Sequence, residues 1–132
     1  MKEIGVALIG YNFMGRAHSN AYRQVAPFFK PRLTPRLKVL CGRHPAAVRA
    51  AAARLGFEEW ATDWREVVNR DDIGLVDVST PGDSHAEIAI AAARAGKAVL
   101  CEKPLANTVA EAKAMLEAVT RAGVVHMVCH NY

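Results

Sequence analysis

The chain has 132 residues, of which 52% are hydrophobic and 23% charged, with a formal net charge of +4. That size supports a single core and a single domain, residues 1–132, and the composition excludes disordered and fibrous classes. Basic residues are scattered apart from "KPRLTPRLK" (30–38), so the mild positive charge favours an anionic small molecule over a nucleic-acid partner.

The first apolar run, "IGVALI" (4–9), reads as a buried strand, and "MGRAHSNAYRQV" (14–25) after it carries helical spacing. Next comes "APFFKPRLTPR" (26–36), whose three prolines predict an ordered surface loop with Phe28 and Phe29 pinned against the body or a partner. "LKVLC" (37–41) is a second strand and "PAAVRAAAARLG" (45–56) a second helix, with Pro45 in its first turn. A short strand near "EWAT" (59–62) and a helix in "DWREVVNR" (63–70) lead to the strand "LVDVS" (75–79). The helix "DSHAEIAIAAARAG" (83–96), the strand "AVLCE" (98–102), the helix "TVAEAKAMLEAVTRAG" (108–123) and the strand "VHMVC" (125–129) complete the chain.

Boundary chemistry agrees with this periodicity. Asp63 with Glu66, Ser84 with Glu87 and Thr108 with Glu111 each set a cap residue three before a carboxylate, and Gly56, Gly96 and Gly123 stand where helices stop. Continuous apolar runs in "GVALI" and "LVDVS" predict strands covered on both faces. The fold class is α/β: a doubly wound Rossmann arrangement, a mainly parallel sheet flanked by helices.

Cys41, Cys101 and Cys129 have no CxxC spacing and sit near the ends of apolar runs, which predicts reduced thiols and no zinc site. The apolar part of "MKEIGVALIG" is short for a signal peptide, and no segment approaches a membrane span, so the expected location is cytoplasmic. His126 and His130 form no recognisable ligand spacing, and no metal is expected.

"GYNFMG" (10–15) stands between the first strand and first helix with the spacing of the G-x-G-x-x-G dinucleotide fingerprint, its middle glycine replaced by Asn12. Gly10 would make the tight turn and Gly15 would let helix and strand pack closely. Asn12 is the commonest kind of substitute at positive φ, and its amide could donate to a phosphate. The helix that starts around Phe13 and Met14 would aim its first amides at the same group. Glycines also mark ordinary strand-to-helix turns, so the motif alone leaves both readings open. After the second strand, "LCGRHP" offers Arg43 where NAD sites usually place an acid. Arg43 could pair with a 2′-phosphate, stack on adenine or lie in solvent.

"STPGDSHAEIAIAAARAGKAVLCEKPLANTVAEA" (79–112) resembles the signature of the glucose-fructose oxidoreductase and inositol dehydrogenase (Gfo/Idh/MocA) family. The matching residues are Thr80 and Pro81, His85, Ala95-Gly96-Lys97, and Glu102, Lys103 and Pro104. The resemblance implies a nicotinamide-dependent oxidoreductase acting on a hydroxyl or keto group of a sugar, polyol or related compound. It implies that Lys103 contacts cofactor and substrate as the catalytic proton-exchange group, that Glu102 holds the nicotinamide ribose, and that Thr80 and Pro81 turn beside it. His85 is expected to pack or bond near the cofactor, and His18, three residues after Gly15, to make a structural hydrogen bond.

The cofactor expected is NADP or NAD, leaning to NADP because of Arg43. Without the family, Lys103 and Glu102 read equally as a surface pair capping a strand. Asn12 and Asp83 depart from the family pattern, and the family's second α/β domain, which lines the substrate cleft and forms the oligomer interface, has no counterpart in these 132 residues. The expectation is therefore the cofactor domain of a longer, homo-oligomeric enzyme; the alternative is a non-catalytic dinucleotide-binding or sensing module.

Overall fold

A computed structural model describes residues 2–131. The elements are β1 (Lys2–Ile9), α1 (Phe13–Phe29), β2 (Leu33–Cys41), α2 (Pro45–Leu55), β3 (Glu59–Ala61), α3 (Trp64–Val68), β4 (Leu75–Val78), a 3-10 turn (Gly82–Ser84), α4 (His85–Arg94), β5 (Ala98–Glu102), α5 (Val109–Ala122) and β6 (His126–Cys129). All paired strands run parallel in the order β3-β2-β1-β4-β5-β6. The doubly wound expectation holds, and the direction of winding reverses between β1 and β4.

Both faces of the sheet are covered, which is why its central strands read as unbroken apolar runs. On one face Leu8 and Leu40 pack against Val48, Ala51, Ala52 and Leu55 of α2, with Tyr22 of α1 alongside. On the other, Ala7, Val39, Val76 and Val99 meet Val67 of α3, Ile88 and Ala92 of α4 and Met115 of α5. The alanines let the helix backbones approach the strands closely. Among the described residues no helix is long and apolar enough to cross a membrane.

The proline-rich connection is shorter than expected. Helix α1 continues through Pro27 to Phe29 and stops at Lys30, whose φ of 49° is left-handed. Pro27 lies in the last turn, where one lost amide bond is tolerated. Pro35 sits inside β2, opposite Ile4, in a stretch paired with β1 alone because β3 joins only from Val39 onward. A proline on an unpaired edge removes no ladder bond. Phe28 and Phe29 are 79% and 73% exposed and touch each other with ring centroids 5.4 Å apart, so they are not pinned against the body.

The helix caps divide. Thr108 and Glu111 form a reciprocal capping box, and Asp63 accepts from the Arg65 amide. Ser84 caps nothing: its hydroxyl donates to Thr80 Oγ1 at 2.7 Å and so holds the β4–α4 turn. At the far edge, β6 leaves Met127 and Val128 accessible, and an apolar groove of about 480 Å³ runs between α5 and the β5–β6 strands.

Candidate functional site

Loops at the carboxyl ends of β1, β2, β3 and β4 enclose a cleft of about 620 Å³, at the point where winding reverses. Open α/β sheets bind ligands there because the loops diverge and leave a crevice. Gly10, Asn12, Arg43, Thr80 and Pro81 line it, together with Tyr11 and Trp64, which the sequence reading did not single out.

The β1–α1 turn answers the question of Asn12. Gly10 has φ +103°, and a Cβ there would lie 2.6 Å from the Ser79 carbonyl oxygen, so the left-handed conformation and the close approach both belong to Gly10. Asn12 is extended, with φ −75°; its expected positive φ is not found, and the position requires no glycine. Its side chain caps nothing within the helix. Its amide and the first N–H groups of α1, from Phe13, Met14 and Gly15, are therefore available to an anion. Gly15 performs its expected role: a Cβ there would stand 2.3 Å from the Gly10 carbonyl oxygen, so only glycine lets α1 leave β1 this closely. These features fit a dinucleotide pyrophosphate, which needs backbone donors and no intruding side chain.

Arg43 is exposed on the cleft wall and has no partner among the described residues. Asp63 and Asp83 line the same cleft, so carboxylates reach this region from β3 and β4 although none follows β2. The Tyr11 ring lies over Gly42, where a Cβ would fall 2.1 Å from it. The Arg65 guanidinium stacks 4.3 Å from the Trp64 ring.

His85 is 1% exposed and lies outside the cleft lining. Its ring nitrogens face the Thr80 carbonyl at 2.7 Å and the Pro104 carbonyl at 3.0 Å, tying the β4–α4 turn to the loop after β5. It supports Thr80 and Lys103 from behind. Lys103 is exposed at the carboxyl end of β5, and its peptide bond to Pro104 is cis.

Glu102 is 4% exposed and not paired with the Lys103 ammonium. Its Oε2 accepts from the Lys103 backbone amide at 3.0 Å, and its Oε1 accepts from His18 Nε2 at 2.8 Å. His18 Nδ1 donates to Asp77 Oδ2 at 2.8 Å, and Asp77 also accepts from the Tyr22 hydroxyl at 2.8 Å. His18 does make the structural hydrogen bond expected of it, but to two carboxylates at once. Its partners are 59 and 84 residues away along the chain, so no local spacing could reveal them.

The electrostatics follow from this geometry. The Asp77 hydrogen bond outweighs burial and, with Glu102, raises His18 above its ordinary 6.5. Burial pushes Glu102 up, but the His18 bond and the Lys103 amide together hold it below the usual carboxylate range. Burial, reinforced by Asp77, pushes Tyr22 far up and keeps it neutral. A raised histidine contributes stability that is full below its unfolded pKa of 6.5 and lost as pH rises through the folded value.

Donor atoms of His18, Glu102 and Cys129 lie within 4.8 Å of one another. Both ring nitrogens of His18 already face carboxylates, which is the arrangement of a hydrogen-bonded imidazolium rather than a metal ligand. The three cysteines are free; burial pushes Cys41 and Cys101 up to about 12, so they are inert.

Comparison with known proteins bears on the family. A levoglucosan dehydrogenase of Pseudarthrobacter phenanthrenivorans is 50% identical over the whole chain, and the chain spans 34% of it. A D-apiose dehydrogenase of Paraburkholderia graminis is 34% identical, again over the whole chain and 33% of the relative. Among solved structures, an oxidoreductase domain protein from Kribbella flavida superposes with a TM-score of 0.93 at 61% identity, over 97% of this chain and 35% of that one. A levoglucosan dehydrogenase in complex with NADH and L-sorbose superposes with a TM-score of 0.94 at 50% identity, over the same shares. The chain thus spans about a third of the length of these relatives. Residues 4–130 match the model of the Gfo/Idh/MocA oxidoreductase family, NAD-binding Rossmann fold, and the chain belongs to that family.

Proposed function

We propose that this domain holds a nicotinamide dinucleotide across the β1–β4 crevice and serves hydride transfer to or from a hydroxyl or keto carbon of a sugar, polyol or related compound. The observation that carries the reading is the cleft itself, with Gly10 and the free amides of α1 at one end and Thr80 and Pro81 at the other, one strand from Lys103. The cofactor supplies or accepts the hydride. Asn12 and the first turn of α1 bind its phosphates, while Thr80, Pro81 and Glu102 orient its nicotinamide half. Lys103, exposed and unpaired among the described residues, exchanges a proton with the substrate oxygen. The sugar dehydrogenases among the relatives support the substrate class, and the free cysteines suit a reducing, cytoplasmic setting.

Calorimetric titration with the oxidised and reduced forms of NAD and NADP tests the reading. Saturable binding of at least one is expected; none up to several millimolar would overturn it. The Lys103 ammonium has no ion-pair partner among the described residues, which favours an enzyme lineage over a sensing module, since a structural surface pair would engage it.

Choice between the two cofactors turns on Arg43. With no acid directly after β2, a 2′-phosphate gains a charge-assisted partner there. The NADH complexes of levoglucosan dehydrogenase, together with Asp63 and Asp83 on the cleft wall, support unphosphorylated cofactor as well. Arg43→Ala is expected to weaken NADP binding about tenfold and NAD binding far less, because a charge-assisted hydrogen bond contributes on the order of 1.5 kcal/mol. Equal losses for both would assign the arginine to adenine stacking.

A further inference from the structure

Side chains from four elements converge beneath the carboxyl end of β5. Asp77 comes from β4, Glu102 from β5, His18 and Tyr22 from α1, and Cys129 from β6, its Sγ 3.8 Å from His18 Nε2. The Ser79 hydroxyl completes the Asp77 environment at 3.2 Å. Every buried side-chain polar atom among the described residues has a hydrogen-bond partner, so the network has one well-defined arrangement. Its end nearest Lys103 is the buried Glu102, whose second oxygen receives the Lys103 amide.

We propose that His18 is a positioning residue for Glu102, and that the charge of the Asp77–His18–Glu102 relay sets which redox form of the nicotinamide cofactor the domain prefers. The inference rests on the dinucleotide reading above. Position follows from geometry: with His18 Nδ1 held by Asp77, the ring can turn only its Nε2 toward Glu102, and this fixes the carboxylate rotamer beside Lys103. Charge follows from counting. Two carboxylates and an imidazolium carry a net −1, and loss of the imidazolium proton leaves −2. Burial and the neighbouring carboxylates push Tyr22 far upward and Cys129 upward as well, which favours the neutral form of each.

Oxidised nicotinamide bears one more positive charge than reduced nicotinamide, whereas the adenine, ribose and phosphate groups of the two forms are identical. The ratio of the dissociation constants of NADH and NAD⁺ therefore cancels every effect at Arg43 or at the α1 amides. That ratio should rise with pH as His18 loses its proton, since the more negative relay favours the oxidised ring. A unit charge within about 10 Å at an effective dielectric between that of protein surface and water predicts a change of about three-fold or more.

The test is titration of the 132-residue chain with NAD⁺ and NADH between about pH 6 and about pH 9.5, with the His18 ring followed by NMR over the same range. The expected result is a step in the ratio that coincides with the His18 titration. Asp77→Asn removes the largest upward influence on His18, and should shift both the step and the NMR midpoint to lower pH. His18→Gln should abolish the step. Should the variants fail to fold, coincidence of the two curves in the unaltered protein still decides. A ratio flat across the His18 titration, or a step surviving in folded His18→Gln, overturns the inference while leaving cofactor binding intact. Failure of both cofactors to bind overturns the dinucleotide reading and this inference with it.

Discussion

Gly15→Ala is expected to destabilise the domain by about 2–3 kcal/mol and to weaken dinucleotide binding at least tenfold, the rigid-backbone end of the range for overpacking. The added methyl would sit 2.3 Å from the Gly10 carbonyl oxygen and 3.0 Å from its carbon, and both are backbone atoms that no rotamer change can move. Gly10 is itself held in place, with φ +103° and its amide bonded to the Cys41 carbonyl at 2.9 Å. Strain can be relieved only by tilting the first turn of α1 away from β1, which displaces the amides assigned to phosphate. His18 would move with it, stretching its 2.8 Å bonds to Asp77 and Glu102.

Gly56→Ala separates stability from function. A Cβ at Gly56 meets nothing within 4 Å, but its φ of +84° makes alanine unfavourable. This substitution is expected to cost about 1 kcal/mol and leave binding unchanged. Urea unfolding followed by circular dichroism, with calorimetry on the folded protein, measures both. Gly15→Ala with unaltered midpoint and affinity would show that helix–strand closeness does not position the site.

The isolated chain is expected to bind cofactor without turning over sugars or polyols. Hydride transfer needs donor and acceptor carbons held about 3.5 Å apart in aligned geometry, and such positioning can supply on the order of 7–11 kcal/mol of the barrier. Lys103 is exposed and lies outside the lining of the dinucleotide cleft, so the cleft by itself does not hold a sugar against it. Following reduced nicotinamide at about 340 nm with a panel of sugars and polyols tests this directly. Turnover by the chain alone, lost in Lys103→Ala, would mean that a complete site forms within or between these short chains. In a longer form that does turn over, Lys103→Ala should lower kcat by about 10²–10⁴-fold, the usual contribution of a proton-transfer group.

Much of the fold was legible because its causes are local. Apolar runs, three-and-four spacing and the glycine stops identified every strand and helix of the sheet, and Thr108 with Glu111 announced a capping box that is present. Errors arose where a local rule met a tertiary exception. Prolines at 27 and 35 suggested a long loop, yet one lies in the last turn of α1 and the other on an edge segment of β2, positions where a missing amide is harmless. Ser84 has the spacing of a helix cap, but Thr80 lies within reach of its hydroxyl and takes it.

From the sequence by itself came the parallel α/β class, the strand-to-helix turn at Gly10 and Gly15, and the Thr80–Pro81 and Glu102–Lys103 pairs that mark the family. Such features are written in spacing along one segment, and one segment is enough to read them. Only the tertiary structure decided that Gly10 rather than Asn12 carries the left-handed turn, that His85 braces two loops from behind, and that His18 sits between Asp77 and Glu102. The last of these joins residues from α1, β4 and β5. Their meeting depends on which strands become neighbours and which helix covers them, and that is settled by burying the whole sheet at once, not by any stretch of chain alone.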